Sequence, residues 1–120
     1  MRAVLDTNIL IDYLNGIEAA RTEIGRYKKP MISVITWMEV MVGATDGESD
    51  EARRFLDRFD LRGIDAAVAE RAAAIRRVRR MRLPDAIIQA TAQVAQALLV
   101  TRNTKDFPED DPGVRAPYRL

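Results

Sequence analysis

Histidine and cysteine are both absent from the 120 residues of this chain. Without cysteine there is no disulfide scaffold, no thiolate zinc site and no cysteine nucleophile. Without histidine there is no Ser-His-Asp triad, no imidazole general base and no imidazole-ligated metal. No apolar run approaches the roughly 20 residues that a membrane span needs. The N-terminal Met1-Arg2-Ala3-Val4-Leu5 meets Asp6 too soon for the core of an export signal, so the expected location is the cytoplasm. Net charge is nearly absent too, at +1 from 19 basic and 18 acidic side chains. Any chemistry must therefore come from carboxylates, hydroxyls, amides, Lys, Arg and Tyr, or from a hard cation held by oxygen.

What is present is an ordinary globular composition, 48% hydrophobic and 31% charged. The length suits a single domain over residues 1–120. The near-zero charge hides an asymmetry: residues 1–70 hold 9 basic and 13 acidic side chains, residues 71–120 hold 10 and 5. The basic excess centres on Arg71, Arg76, Arg77, Arg79, Arg80 and Arg82, with no acid between them. Such a cluster suits phosphates, and it equally suits a solvated helix face.

Apolar runs and breakers predict strands alternating with helices. Ala3, Val4 and Leu5 read as a short buried strand, and Asp6-Thr7-Asn8 as the cap of a helix through Leu14. A second helix is expected over 17–27, a strand over 31–35, and a helix opening at Thr36 and ending near Gly43. A helix over 51–59, a strand over 61–64 and a long helix over 66–81 follow, the last with Val68, Ala72, Ile75 and Val78 on one face. Pro84 starts another helix reaching about Ala97, and Leu98, Leu99 and Val100 form a further strand. The tail from Phe107 is expected to be irregular, with a short edge strand. This alternation implies an α/β fold with a mostly parallel sheet flanked by helices, and ligands beyond the carboxyl ends of its strands.

Asp6, Glu39, Asp85 and Asp106 fall after a strand or in the first turn of a helix, so all four can share one rim of that sheet. Unpaired carboxylates in one cleft repel unless a cation neutralises them, and oxygen-only donors suit magnesium or manganese. Each acid also has a purely structural reading. Asp6 can cap its helix, Thr36-x-x-Glu39 can be a capping box with Ile35 and Val40 as its staple, Asp85 suits a helix N-terminus, and Asp106 suits a turn before Phe107-Pro108.

Four sequence words carry these acids: Val4-Leu5-Asp6-Thr7-Asn8-Ile9-Leu10, Ile35-Thr36-Trp37-Met38-Glu39-Val40-Met41-Val42-Gly43, Leu83-Pro84-Asp85-Ala86-Ile87-Ile88-Gln89-Ala90-Thr91-Ala92 and Leu99-Val100-Thr101-Arg102-Asn103-Thr104-Lys105-Asp106-Phe107. In that order, and over essentially the whole chain, they resemble the PIN-domain ribonucleases of the VapC toxin type. The resemblance implies a PIN-like three-layer fold in which Asp6, Glu39 and Asp85 form a metal-binding acidic triad for Mg2+ or Mn2+. It implies Asp106 as a fourth acid, with Asn103 standing where many relatives carry an aspartate. Thr7, Asn8, Thr101 and Asn103 would orient those ligands. It also implies a cognate antitoxin as partner, a homodimer, RNA as substrate and no membrane association.

Phosphodiester hydrolysis suits this inventory, because a divalent ion activates water without a histidine base. In-line attack by that water leaves a 5′-phosphate and a 3′-hydroxyl. Arg76, Arg79, Arg80, Arg82, Arg102 and Lys105 are the candidates for holding the RNA backbone. A haloacid-dehalogenase-type phosphatase needs a second aspartate where Asn8 stands, and a response-regulator receiver needs an acidic pair after the first strand. Neither fits. The alternatives that stay open are a partner-binding module with weak or lost nuclease activity, for which Trp37, Met38 and Met41 offer a surface, and a DNA-directed nuclease on the same fold.

Overall fold

Alternation along the first strand sets up the layers. In the computed structural model, which describes residues 1–120, strand β1 (Ala3–Leu5) is fully buried but faces two ways. Ala3 and Leu5 join a core with Ile9, Leu10, Ile32 and Phe55, while Val4 joins a second core with Met31, Ile88, Leu99 and Phe107. A pleated strand sends successive side chains to opposite faces, and a sheet covered on both faces is apolar throughout. The result is the expected helix–sheet–helix arrangement.

The remaining elements are α1 (Thr7–Leu14), α2 (Glu18–Gly25), β2 (Met31–Ser33), α3 (Val34–Gly43), α4 (Ser49–Leu56), β3 (Asp60–Arg62), α5 (Ala66–Val78), α6 (Leu83–Val94), β4 (Leu98–Val100) and β5 (Val114–Arg115). All strand pairings are parallel, in the order β3-β2-β1-β4-β5. From β1 the chain builds outward through β2 and β3, then returns to add β4 on the other side. The order thus reverses between β1 and β4, the place where open α/β sheets hold ligands. No helix is long and apolar enough to cross a membrane.

Several boundaries differ from those read in the sequence. The strand expected over 31–35 stops at Ser33, whose hydroxyl accepts from the Ile35 amide at 3.1 Å and caps α3. Helix therefore begins at Val34, and the Thr36-x-x-Glu39 capping box does not form, because Thr36 already lies inside the helix. A capping box closes instead at Thr45, whose amide donates to the Glu48 side chain at 3.0 Å. The helices expected over 51–59 and 66–81 end early, at Leu56 and Val78. Arg79 is extended (φ −119°, ψ 142°), and Val78 is 86% exposed rather than on the core face. The short edge strand expected in the tail is β5.

Two helices end in the same motif with different residues in its left-handed position. After α1, Gly16 (φ 81°) donates to Tyr13 O and Ile17 to Asp12 O, both at 3.0 Å. After α6, Gln96 (φ 54°) donates to Gln93 O at 3.1 Å and Ala97 to Ala92 O at 2.9 Å. Both are Schellman closures, but only glycine adopts that backbone without strain. Gln96→Gly should therefore raise stability by about 0.5–1 kcal/mol, read as a higher denaturant midpoint; an unchanged or lower midpoint contradicts it.

One buried acid is satisfied from the C-terminal segment. Arg115 of β5 donates to both carboxylate oxygens of Glu23 in α2, at 2.8 and 3.0 Å, and Tyr27 donates to Glu23 Oε2 at 2.6 Å. Burial alone would raise Glu23, yet the bonds from Arg115 and Tyr27 hold it below its ordinary value. Tyr27 is pushed up to about 12 by burial and by that bond to Glu23.

Candidate active site

The loop leaving β1 places Asp6 at the carboxyl edge of the sheet, tied back by its own amide to Val100 O at 2.9 Å. Its side chain caps α1, with Oδ1 accepting from the Thr7 amide at 2.8 Å. Oδ2 accepts from the Thr101 hydroxyl at 2.7 Å and from Asn8 Nδ2 at 3.2 Å. Capping and site reading therefore describe the same residue. Asp6 is buried, and its carboxyl is raised to about 6. Burial is the main cause, Asp85 and Glu39 add repulsion, and the bonds from Thr101 and Thr7 act against it.

Glu39 reaches the same place from α3. Its Oε1 accepts from the Thr7 hydroxyl at 2.6 Å, and that hydroxyl lies 3.0 Å from the buried Thr36 hydroxyl. Thr36, passed over as a site residue in the sequence, thus fixes Thr7 from below. Asp85 enters from the first turn of α6, next to Pro84, where proline needs no donor and an acid suits the helix dipole. Its carboxyl lies above the ordinary range: burial raises it most, Arg82 lowers it, and Asp106 and Glu39 raise it further.

Asp6, Thr7, Asn8, Ile11, Glu39, Asp85 and Asn103 line one shallow groove of about 350 Å³, with Arg82 and Arg102 on its border. Asn8 closes its floor, donating 3.3 Å to the Thr101 oxygen and accepting from the Arg102 amide at 3.1 Å. Asn103 and Asp106 bind each other: Asn103 Nδ2 donates to Asp106 Oδ2 at 2.9 Å, and the Asp106 amide donates to Asn103 Oδ1 at 3.2 Å. Asn103 faces the acidic groove. Asp106 faces a neighbouring one of about 520 Å³, shared with Arg76, Arg80, Met81 and Arg82.

The basic candidates separate in the same way. Arg76, Arg80 and Arg82 border that second groove. Arg79 instead ties α5 to the loop after β4, donating to Gln89 Oε1 and to the Asp106 carbonyl. Arg102 is bidentate to Asp12, at 2.7 and 2.9 Å, with Tyr118 donating to the same carboxylate at 2.8 Å. Lys105 is exposed and lines neither groove. The Asp12–Arg102–Tyr118 group was passed over in the sequence, although an acid between Ile11 and Tyr13 on an apolar helix is itself a sign of a buried partner.

Chemically, the groove offers oxygen and amide groups only, and its carboxylates repel one another, which suits a hard divalent cation. As the side chains stand, no three acids close around one point. Arg82 lies between two of them instead, 3.6 Å from Glu39 Oε2 and 3.6 Å from Asp85 Oδ2. A cation is thus already accommodated between these carboxylates.

A family model for the PIN domain matches residues 3–109. Ribonuclease VapC10 of Mycobacterium tuberculosis is 34% identical over 113 residues, covering 88% of this chain and 85% of that protein. The chain is also similar to a solved toxin-antitoxin complex from Klebsiella pneumoniae, at 45% identity and a TM-score of 0.93, covering 98% of this chain and 99% of that one. DNA-bound VapBC from Salmonella typhimurium matches at 26% identity and a TM-score of 0.76, covering 96% of each chain.

Proposed function

The chain belongs to the PIN-domain family, in its VapC-type branch, and from that premise we propose that it is a divalent-metal-dependent ribonuclease toxin of a toxin–antitoxin pair. The observation that carries the reading is the meeting of Asp6, Glu39 and Asp85 in one groove at the switch between β1 and β4. Mg2+ or Mn2+ is the cation this oxygen-only donor set suits. Asp6, Glu39 and Asp85 would hold it, with Asn103 beside them in the same groove and Asp106, bonded to Asn103, in the adjoining one. When bound, such an ion supplies a polarised phosphoryl oxygen and a more acidic water.

The chain's own residues do the rest. Thr101, Asn8 and the Thr7 amide fix Asp6 in one rotamer, and Thr7 fixes Glu39, so the acids are aimed before substrate arrives. Repulsion among these acids adds to the raised carboxyls of Asp6 and Asp85, and a cation between them would relieve it. Arg76, Arg80 and Arg82 offer a backbone path beside the acids. A protein partner has an apolar surface available in Leu14, Met38 and Val42, all exposed on α1 and α3. The relatives named above, one a ribonuclease and others toxins solved with antitoxins, support both halves of the proposal.

Purified protein with Mn2+ should cut RNA to leave 5′-phosphate ends, and excess EDTA should stop it. Cleavage that persists in EDTA, or cyclic-phosphate ends, would falsify the metal-dependent mechanism. Single-stranded DNA cut as fast as RNA would favour the DNA-directed alternative.

A further inference from the structure

Two arginines border the acidic groove, and they are held differently. Arg102 is fixed, bidentate on buried Asp12, whose carboxylate also accepts from Tyr118. Arg82 is loose. Its two contacts, to Glu39 and Asp85, are both 3.6 Å, beyond hydrogen-bond length, and its side chain is 70% exposed. It stands at the N-cap of α6 without any capping bond of its own. It is also the one residue that lines both the acidic groove and the basic groove with Arg76 and Arg80.

We propose that Arg82 is a hand-over residue: it neutralises Glu39 and Asp85 in the metal-free chain, leaves them when a divalent cation enters, and then presents its guanidinium to a phosphodiester of the RNA lying across the two grooves. The inference rests on the reading of Asp6, Glu39 and Asp85 as cation-holding acids. The physical argument is competition followed by reuse. A divalent ion between Glu39 and Asp85 takes the position that the guanidinium now shares, and like charge drives the arginine outward. Two exposed contacts at 3.6 Å are weak enough to exchange. A released guanidinium meets phosphate with two parallel donors, the geometry it fits best, and Arg76 and Arg80 already line the side on which it emerges.

The two halves predict effects of opposite sign in one variant, which neither a structural role nor simple RNA attraction produces. Mn2+ binding to the RNA-free chain, followed by calorimetry, should tighten about three- to tenfold in Arg82→Gln. The KM for RNA at saturating Mn2+ should rise about tenfold in the same variant. Arg82→Lys keeps a competing point charge but loses the fork, so its Mn2+ affinity should stay near the parent's while its KM rises. Unchanged or weaker Mn2+ binding in Arg82→Gln, or an unchanged KM, overturns the assignment. Absence of Mn2+ binding in both parent and variant overturns the metal reading along with it, whereas equal binding in both overturns the role of Arg82 alone.

Discussion

Asp85→Asn should cut RNA at least about a hundredfold more slowly than the parent while melting, in EDTA, at the same temperature or higher. Asp85 is the cleanest of the three acids to test. Asp6 accepts from the Thr7 amide, the Thr101 hydroxyl and Asn8, so an asparagine there would turn its amide nitrogen against donors and disturb the fold. Glu39 carries the 2.6 Å bond from Thr7. Asp85 contacts only the loose Arg82. Its folded carboxyl lies above the ordinary value, by burial first and by the charges of Asp106 and Glu39. A raised acid binds protons more readily folded than unfolded, so its ionised form opposes folding above the ordinary carboxylate range. Removing that charge relieves the repulsion while removing an oxygen that the proposed cation would need. Initial rates at saturating Mn2+ and melting curves in EDTA check both halves. Activity within tenfold of the parent contradicts the assignment, and a fall of several degrees in melting temperature would make Asp85 a structural residue.

The largest stability effect is expected far from the groove. Arg115→Ala should cost about 2–3 kcal/mol, because it leaves Glu23, 3% exposed, without its bidentate partner. The figure stays below the fully buried case because the Arg115 side chain is 36% exposed. The sign with pH is set by Glu23, whose folded carboxyl lies below its ordinary value despite burial, held there by Arg115 and Tyr27. Its contribution is present above the unfolded carboxylate range and is lost as pH falls through the lower folded value. The stability gap between parent and Arg115→Ala should therefore be full at pH 7 and shrink below about pH 4. Urea unfolding at both pH values checks it. A gap independent of pH would place the cost in lost packing rather than in the ion pair.

What could be read from the sequence was local. Asp6 after Ala3-Val4-Leu5, and Asp85 after Pro84, were legible because a short apolar run and a helix-start proline announce their own geometry. The start of α3 was not. Met31-Ile32-Ser33-Val34-Ile35 reads as continuous strand, and only the Ser33 hydroxyl turning onto the Ile35 amide converts its last two residues to helix. Val78 keeps the spacing of Val68 and Ala72 yet points to solvent, since the chain leaves the helix there to bring Arg79 onto the Asp106 carbonyl. The separation of Arg79 and Arg102 from Arg76, Arg80 and Arg82 was equally hidden. Arg102 finds its partner 90 positions away, a distance no local pattern spans.

The bond between Thr101 and Asp6 joins residues 95 positions apart. At a ribosomal rate of about 5–20 residues per second, roughly 5–20 s separate the synthesis of the two. Over that interval β1 also lacks its β4 neighbour, since Ala3, Val4 and Leu5 pair with Leu98, Leu99 and Val100. A nascent chain therefore carries its central aspartate from the start, without the hydroxyl that aims it. The same holds for any opening that peels β4 away: it dismantles the acidic groove in the same step. Assembly of the acidic groove is thus a property of the finished sheet rather than of the residues that first enter it.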